Sequence, residues 1–238
     1  MVMPRTLAMM PIAYLILMLV MAAIPEAFAS GNVAPKAIEV GIAECSDNNL
    51  NTFICAREIE RKALADQGKP ITRSGDTLSI AIQNNTISLV DNHKDGVDST
   101  ILYSYLGYDR KLDSHILYLQ YYEGGAYMVI HHHSGHQAFT SGFPLASPDG
   151  KHFLSLSEDM FAGYSPNNVE VWQVVSGEFS RVSNYKPEWG PRSARWATAG
   201  RALVEKQCYA PTENNPAGLK PCGVARVERS GSTWVLIE

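Results

Sequence analysis

The chain has no run of basic residues. Its 20 lysines and arginines are outnumbered by 24 aspartates and glutamates, for a net charge of −4. That mild acidic balance argues against a nucleic-acid partner and against attachment to an anionic membrane surface. Catalytic signatures are missing as well. There is no G-x-S-x-G nucleophile turn, no H-E-x-x-H helix and no phosphate-cradling glycine loop. No catalytic residue is therefore assigned. Charged residues make up only 18% of the chain and apolar ones 45%, which excludes disorder.

Long apolar runs are confined to the start. Met1 to Thr6 carries one charge, Arg5. Leu7 to Ile24 is almost wholly apolar, and Ala27-Phe28-Ala29 supplies the small residues of a signal-peptidase site before Ser30. Residues 1–29 are expected to be a cleaved signal peptide. The competing reading is a retained anchor, since the run approaches the ~18 residues of a spanning helix. Pro11 and Pro25 favour cleavage, and no cysteine lies nearby to take a lipid. Cleavage leaves 209 residues with the same net charge, no stable membrane span and a periplasmic or secreted location.

Cysteine is scarce but even in number. Cys45, Cys55, Cys208 and Cys222 all lie beyond the leader, and an exported chain favours two disulfides. Three pairings exist, and sequence alone does not choose strictly among them. Cys45–Cys55 and Cys208–Cys222 are expected because each brackets a short polar stretch. A cysteine zinc site is disfavoured because neither pair has C-x-x-C spacing.

One helix is expected over Asn51 to Asp66, capped by Asn51 or Thr52 and stopped by Gly68 and Pro70. Cys55, Ile59 and Ala63 would form its apolar face, and Arg57, Glu58, Arg61 and Lys62 a solvated one. From Ile71 the hydrophobic period changes to two. Leu78, Ile80 and Ile82 lead through an Asn84-Asn85 turn to Ile87 and Leu89. Ile116 to Tyr122 and Tyr127 to His131 flank Glu123-Gly124-Gly125 as a stronger hairpin. Further strands are expected at 101–108, 153–157, 169–175, 179–184, 202–205, 224–229 and 233–237. The division is thus residues 30–70 as a helical segment with Cys45 and Cys55, and 71–238 as one β domain.

A repeat underlies the β region. Ser134-Gly135, Ser176-Gly177 and Ser230-Gly231 each fall between two strand-like runs, 42 and 54 residues apart, and Asn84-Asn85 lies 50 residues before the first. Ser147-Pro148-Asp149-Gly150-Lys151, followed by Phe153 to Ser157 and Val169-Glu170-Val171-Trp172, resembles a blade of the WD40-like (TolB-type) β-propellers. The likeness covers about forty residues well. With Gln120 to Gly125 before that turn, the chain is also similar to exported bacterial proteins. The resemblance implies an all-β, antiparallel fold of blade-like meanders in a small or partial propeller. A β-sandwich is the alternative. It implies no activity.

Three features are candidates for function. His131-His132-His133-Ser134-Gly135-His136 contains a His-x-His pair on one face of a strand. His131, His133 and His136 would be the ligands of a zinc or copper ion; the plain reading is a solvated hairpin end. Tyrosines crowd between Tyr103 and Tyr127, where core packing competes with a stacking surface. Tyr121, Tyr122 and Trp189, the last at the tip of the loop from Tyr185 to Pro191, are the candidate partner contacts. Glu158 and Asp159 read as solvating turn residues, and His115 and His152 as isolated surface or core groups. Trp172, Trp189, Trp196 and Trp234 recur where sheets would pack together. The leading expectation is a non-enzymatic envelope protein with a protein or glycan partner. A metal-binding protein, and a hydrolase whose carboxylates converge only in the fold, are the alternatives.

Overall fold

The computed structural model describes residues 52–67, 71–94, 99–212 and 218–238. The leader, Asn51, Gly68, Pro70 and Cys45 lie outside them, and with Cys45 the expected Cys45–Cys55 bridge. Among the described residues one helix, α1 (Thr52–Gln67), precedes fifteen strands. They are β1 (Ile71–Ser74), β2 (Thr77–Ile82) and β3 (Asn85–Val90) in a first sheet. The second holds β4 (Ile101–Asp109), β5 (Ser114–Tyr121), β6 (Gly125–His131) and β7 (Gln137–Thr140). The third holds β8 (Leu145–Ala146), β9 (His152–Ser157), β10 (Asn168–Val175) and β11 (Glu178–Tyr185). The fourth holds β12 (Gly190–Thr198), β13 (Arg201–Tyr209), β14 (Leu219–Ser230) and β15 (Thr233–Ile237).

Within each sheet every strand pairs antiparallel with its neighbours in sequence, so the described residues are all-β apart from α1. Among the described residues the sheets form no closed barrel. The three Ser-Gly turns all join the third strand of a four-stranded sheet to the fourth. At Ser176-Gly177 both residues have positive φ, 51° and 79°, as a two-residue primed turn requires. The first hairpin turns at Gln83-Asn84, one residue before the expected place, because Ile82 pairs with Asn85. In the β5–β6 turn only Gly124 has positive φ, 76°. Gly125 serves packing instead: a Cβ there would lie 2.4 Å from the Tyr118 hydroxyl.

Three apolar clusters lie between successive sheets. Leu78 and Ile80 of the first sheet meet Tyr105, Leu117 and Leu119 of the second, with Ala63 of α1. Leu106, Ile116 and Val129 meet Phe153 of the third, with Ala56 of α1. Leu154, Val169 and Val171 meet Val204, Val227 and Trp234 of the fourth. The second and third sheets are thus covered on both faces. This is why β5 and β9 each begin with four buried residues while β2 and β13 alternate. The tryptophans pack in these seams. Trp172 stacks on Phe153 at 5.7 Å, and Trp196 meets Trp234 edge-on at 5.8 Å.

Three strands escape the sequence pattern. β7 and β8 are short, and β12 carries Pro191, Arg192, Ser193 and Arg195 in place of an apolar alternation. β12 lies at a sheet edge, where proline costs no ladder bond. The Cys208–Cys222 disulfide forms as expected, joining β13 to β14 with Cα atoms 5.7 Å apart. The Ser147-to-Lys151 turn joins β8 to β9, with Gly150 donating to the Ser147 carbonyl at 3.0 Å.

The helix departs from expectation in its buried face, which is Ala56, Glu60 and Ala63. Arg57 is not solvated. It joins Arg73 in clamping Glu60 and Asp91 beside β4.

Candidate functional site

β10 alternates in two directions. Val169 and Val171 face the fourth sheet, whereas Asn168, Glu170 and Trp172 face the second. Antiparallel pairing sets Asn184 of β11 opposite Glu170, and Arg181 opposite Trp172. Three residues apart, Arg181 and Asn184 would point to opposite faces of a regular strand. A register shift between Val171 and Trp172 leaves Val182 unpaired as a bulge and brings both to the same side.

The result is an open groove of about 390 Å³ between the second and third sheets. One wall is Tyr121, Gly125, Ala126, Phe139, Thr140 and Ser141; the other is Asn168, Glu170, Arg181, Asn184 and Lys186, closed at one end by Tyr164, Ser165 and Pro166. Buried polar groups make the floor. Asn168 accepts from the Ser141 hydroxyl at 2.8 Å and donates to Asn184 at 3.3 Å. Glu170 takes Arg181 at 2.7 Å and the Trp172 indole N–H at 3.2 Å. Above this floor Phe139 is 53% and Tyr164 59% exposed, unusual for such large rings.

Tyr164 is placed by Asp159. One oxygen of that carboxylate accepts from the backbone N–H groups of Phe161, Ala162 and Gly163, and the other from Ser165. Burial works to raise its pKa, but the N–H groups of Ser165, Gly163, Ala162 and Tyr164 hold it below the usual carboxylate value. Asp159 therefore organises the loop and does not merely solvate it. Glu158 is shifted the other way, raised by burial against the pull of Arg192.

Of the expected partner contacts, Tyr121 lines the groove and Tyr122 is exposed beside it. Trp189 presents no contact face. It is 5% exposed, lies in the seam between the third and fourth sheets, and donates to Glu238 at 3.0 Å. The loop reading failed because β12 begins at Gly190 and draws the indole inward.

The histidine segment meets residues that sequence reading left apart. β6 ends at His131 and a turn follows, so strand alternation does not carry through to His132 and His133. The register Ser114↔His131 brings Asp113 and His115 alongside. Asp113 accepts from the Tyr108 hydroxyl through Oδ1, while its Oδ2 bonds Nδ1 of His133 and lies 3.6 Å from Nε2 of His131. A separate line runs from the Tyr105 hydroxyl to Nδ1 of His115 at 3.1 Å, and from its Nε2 to His132 at 3.0 Å. His136 is exposed past the turn, its carbonyl accepting from His131 at 2.9 Å. Burial first, then His132, pushes His115 down to about 3 against the pull of Asp113. Burial lowers His131 too, with Asp113 opposing and His133, His132 and His136 adding to the shift.

The turn is also a joint. Gln83 of the first sheet donates to the His132 carbonyl at 3.1 Å, and Ser134 donates to the Gly177 carbonyl of the third at 2.8 Å. Among the described residues, the carboxylate and imidazole group with all donor atoms within 4.8 Å is Asp76, Asp91 and His93. Arg57 and Arg73 already neutralise Asp91, which opposes a cation there.

The sequence carried part of this. Counting back from the Gly124-Gly125 turn places Asp113 and His115 beside the histidines. Polar residues at 168, 170 and 172 among valines mark a second face on β10. Phe139, Tyr164, Arg181 and Lys186 give no such signal, since sheet stacking alone assembles them. No family model, curated protein or solved structure matches the chain.

Proposed function

We propose that the protein is an exported, non-enzymatic binding module of blade-like sheets whose groove takes an oligosaccharide. Four successive antiparallel meanders with turns at equivalent places support the blade reading. The Cys208–Cys222 bridge and the leader-like start support export to an oxidising space. No described helix is long and apolar enough to cross a membrane.

The observation that carries the ligand class is the pairing of open rings with a polar floor. Phe139 and Tyr164 offer faces on which the C–H side of a sugar ring packs, while Asn168, Asn184, Arg181 and Ser165 offer donors and acceptors for hydroxyls. A protein partner would need an apolar centre within roughly 800 Å² of contact surface. The groove centre is instead amide and charge. Hydrolysis requires two carboxylates across the scissile bond, and Glu170 is the one carboxylate among the lining residues.

Calorimetry with the mature protein against a panel of oligosaccharides tests this. Binding without cleavage is expected, weakened about tenfold by Phe139→Ala or Tyr164→Ala, as the loss of one stacked ring implies. Binding that ignores both substitutions, or none to any sugar, rejects the groove reading.

A further inference from the structure

Resting on the groove reading, we infer that the bound oligosaccharide is acidic, and that Arg181 and Lys186 read its carboxylate groups. The groove has the opposite sign to the molecule around it. The chain carries −4 overall, yet the charged residues lining the groove are Glu170, Arg181 and Lys186, two cations against one anion. A positive cleft within a mildly acidic protein draws anions to that one place.

Arg181 is built for this purpose. Its Nη1 is fixed by Glu170 at 2.7 Å, a carboxylate whose side chain is 3% exposed. Its guanidinium carbon lies 5.8 Å from the centre of the Trp172 ring. One edge of the fork is thereby anchored, while the side chain as a whole stays 48% exposed. An anchored guanidinium loses little freedom when its remaining N–H groups bond a carboxylate side by side. The bulge at Val182 is what aims it, since a regular β11 would turn Arg181 to the other face. Lys186, just past the end of β11, makes no ion pair with a described carboxylate and adds a second charge on the same wall. Two cations on one wall match an acidic group recurring along a chain of sugars better than a single terminal charge. The rings of Phe139 and Tyr164 remain to hold the uncharged faces.

The test sets tetrasaccharides of galacturonate, glucuronate and mannuronate against their methyl esters, which keep the ring shapes and remove the charge. At least one acid is expected to bind about tenfold or more tightly than its ester, as a charge-assisted contact implies. That margin should shrink with added salt. Lys186→Gln should lower affinity for the acid and leave the ester unchanged, whereas Phe139→Ala should weaken both. Arg181→Gln should do the same as Lys186→Gln. Arg181→Gln strands the buried Glu170, so Lys186→Gln decides the matter if Arg181→Gln fails to fold. Equal binding of acids and esters overturns the acidic ligand and leaves the groove reading standing; binding of neither form, with neutral sugars also silent, overturns both.

Discussion

His115 is the most strongly perturbed imidazole among the described residues, and its environment explains why. It is 4% exposed, its Nδ1 meets the Tyr105 hydroxyl, and its Nε2 meets His132. Tyr108 packs on its ring at 5.2 Å, and Asp113 supplies an opposing charge. In the folded protein it stays neutral down to about pH 3, whereas in an unfolded chain it protonates near its ordinary value. Between those limits the unfolded state binds the extra proton, so stability falls as pH falls, by at most about 1.4 kcal/mol per unit. His131 and His152 are lowered by burial as well and act in the same direction. Urea midpoints at pH 7.5 and 5.0 lie on either side of the ordinary imidazole value and above the ordinary values of Asp and Glu. The midpoint should drop at pH 5.0, and His115→Gln should flatten the drop; a slope that the substitution leaves intact would refute the assignment. The expectation that His115 is isolated failed because its partner lies seventeen residues on. The turn-to-register count that joins them was nonetheless available from Gly124 and Gly125.

At the scale of elements, the telling case is the outer edge of β4. An edge strand offers unpaired N–H and C=O groups to any passing chain. Here Asp91 accepts from the N–H of Tyr103 at 2.8 Å and Glu60 from that of Tyr105 at 2.7 Å. Arg57 and Arg73 donate to the Tyr103 carbonyl at 2.7 and 2.6 Å. Two cations and two anions thus seal the edge, and α1 packs over it through alanines small enough to allow the approach. Removing one anion leaves two guanidinium groups facing a single carboxylate. Glu60→Gln should therefore cost about 3–5 kcal/mol of folding stability, read from denaturant midpoints. Glu58→Gln, on the exposed side of the same helix beside Arg61, should leave the midpoint where it was. If the two variants behave alike, the clamp is not structural. Periodicity marked α1 to within one residue but placed its face wrongly, since a buried glutamate reads as polar until its partners on β1, β3's end and β4 are known. β12 was missed for a related reason: its buried start is Gly190 and Pro191, and Ala194 and Trp196 alone mark too short an alternation.

At the scale of the whole molecule, order in sequence becomes order in space. Each sheet packs on the next, so the recurrence of Ser-Gly turns was legible as a series of similar sheets. The two kinds of layer were not legible, because β9 and β10 carry Ser155, Asn168 and Glu170 among their apolar residues although both faces of their sheet are covered. What could not be read was how edges meet across layers, and the groove is made of such meetings. The layering has a dynamic consequence. The second and third sheets are buried on both faces, while the first and fourth each rest on one neighbour. Opening should therefore begin from the ends of the stack, with amides in the middle released only by global unfolding. Native-state hydrogen exchange should show β5, β6, β9 and β10 slowest, with β2, β3 and β15 exchanging earlier and with weaker dependence on denaturant. The Cys208–Cys222 bridge tethers β13 to β14, so replacing both cysteines with alanine should speed exchange in the fourth sheet and leave the second unchanged. Uniform exchange across all four sheets would mean that the stack opens as one unit and that its two-sided layers confer no extra protection.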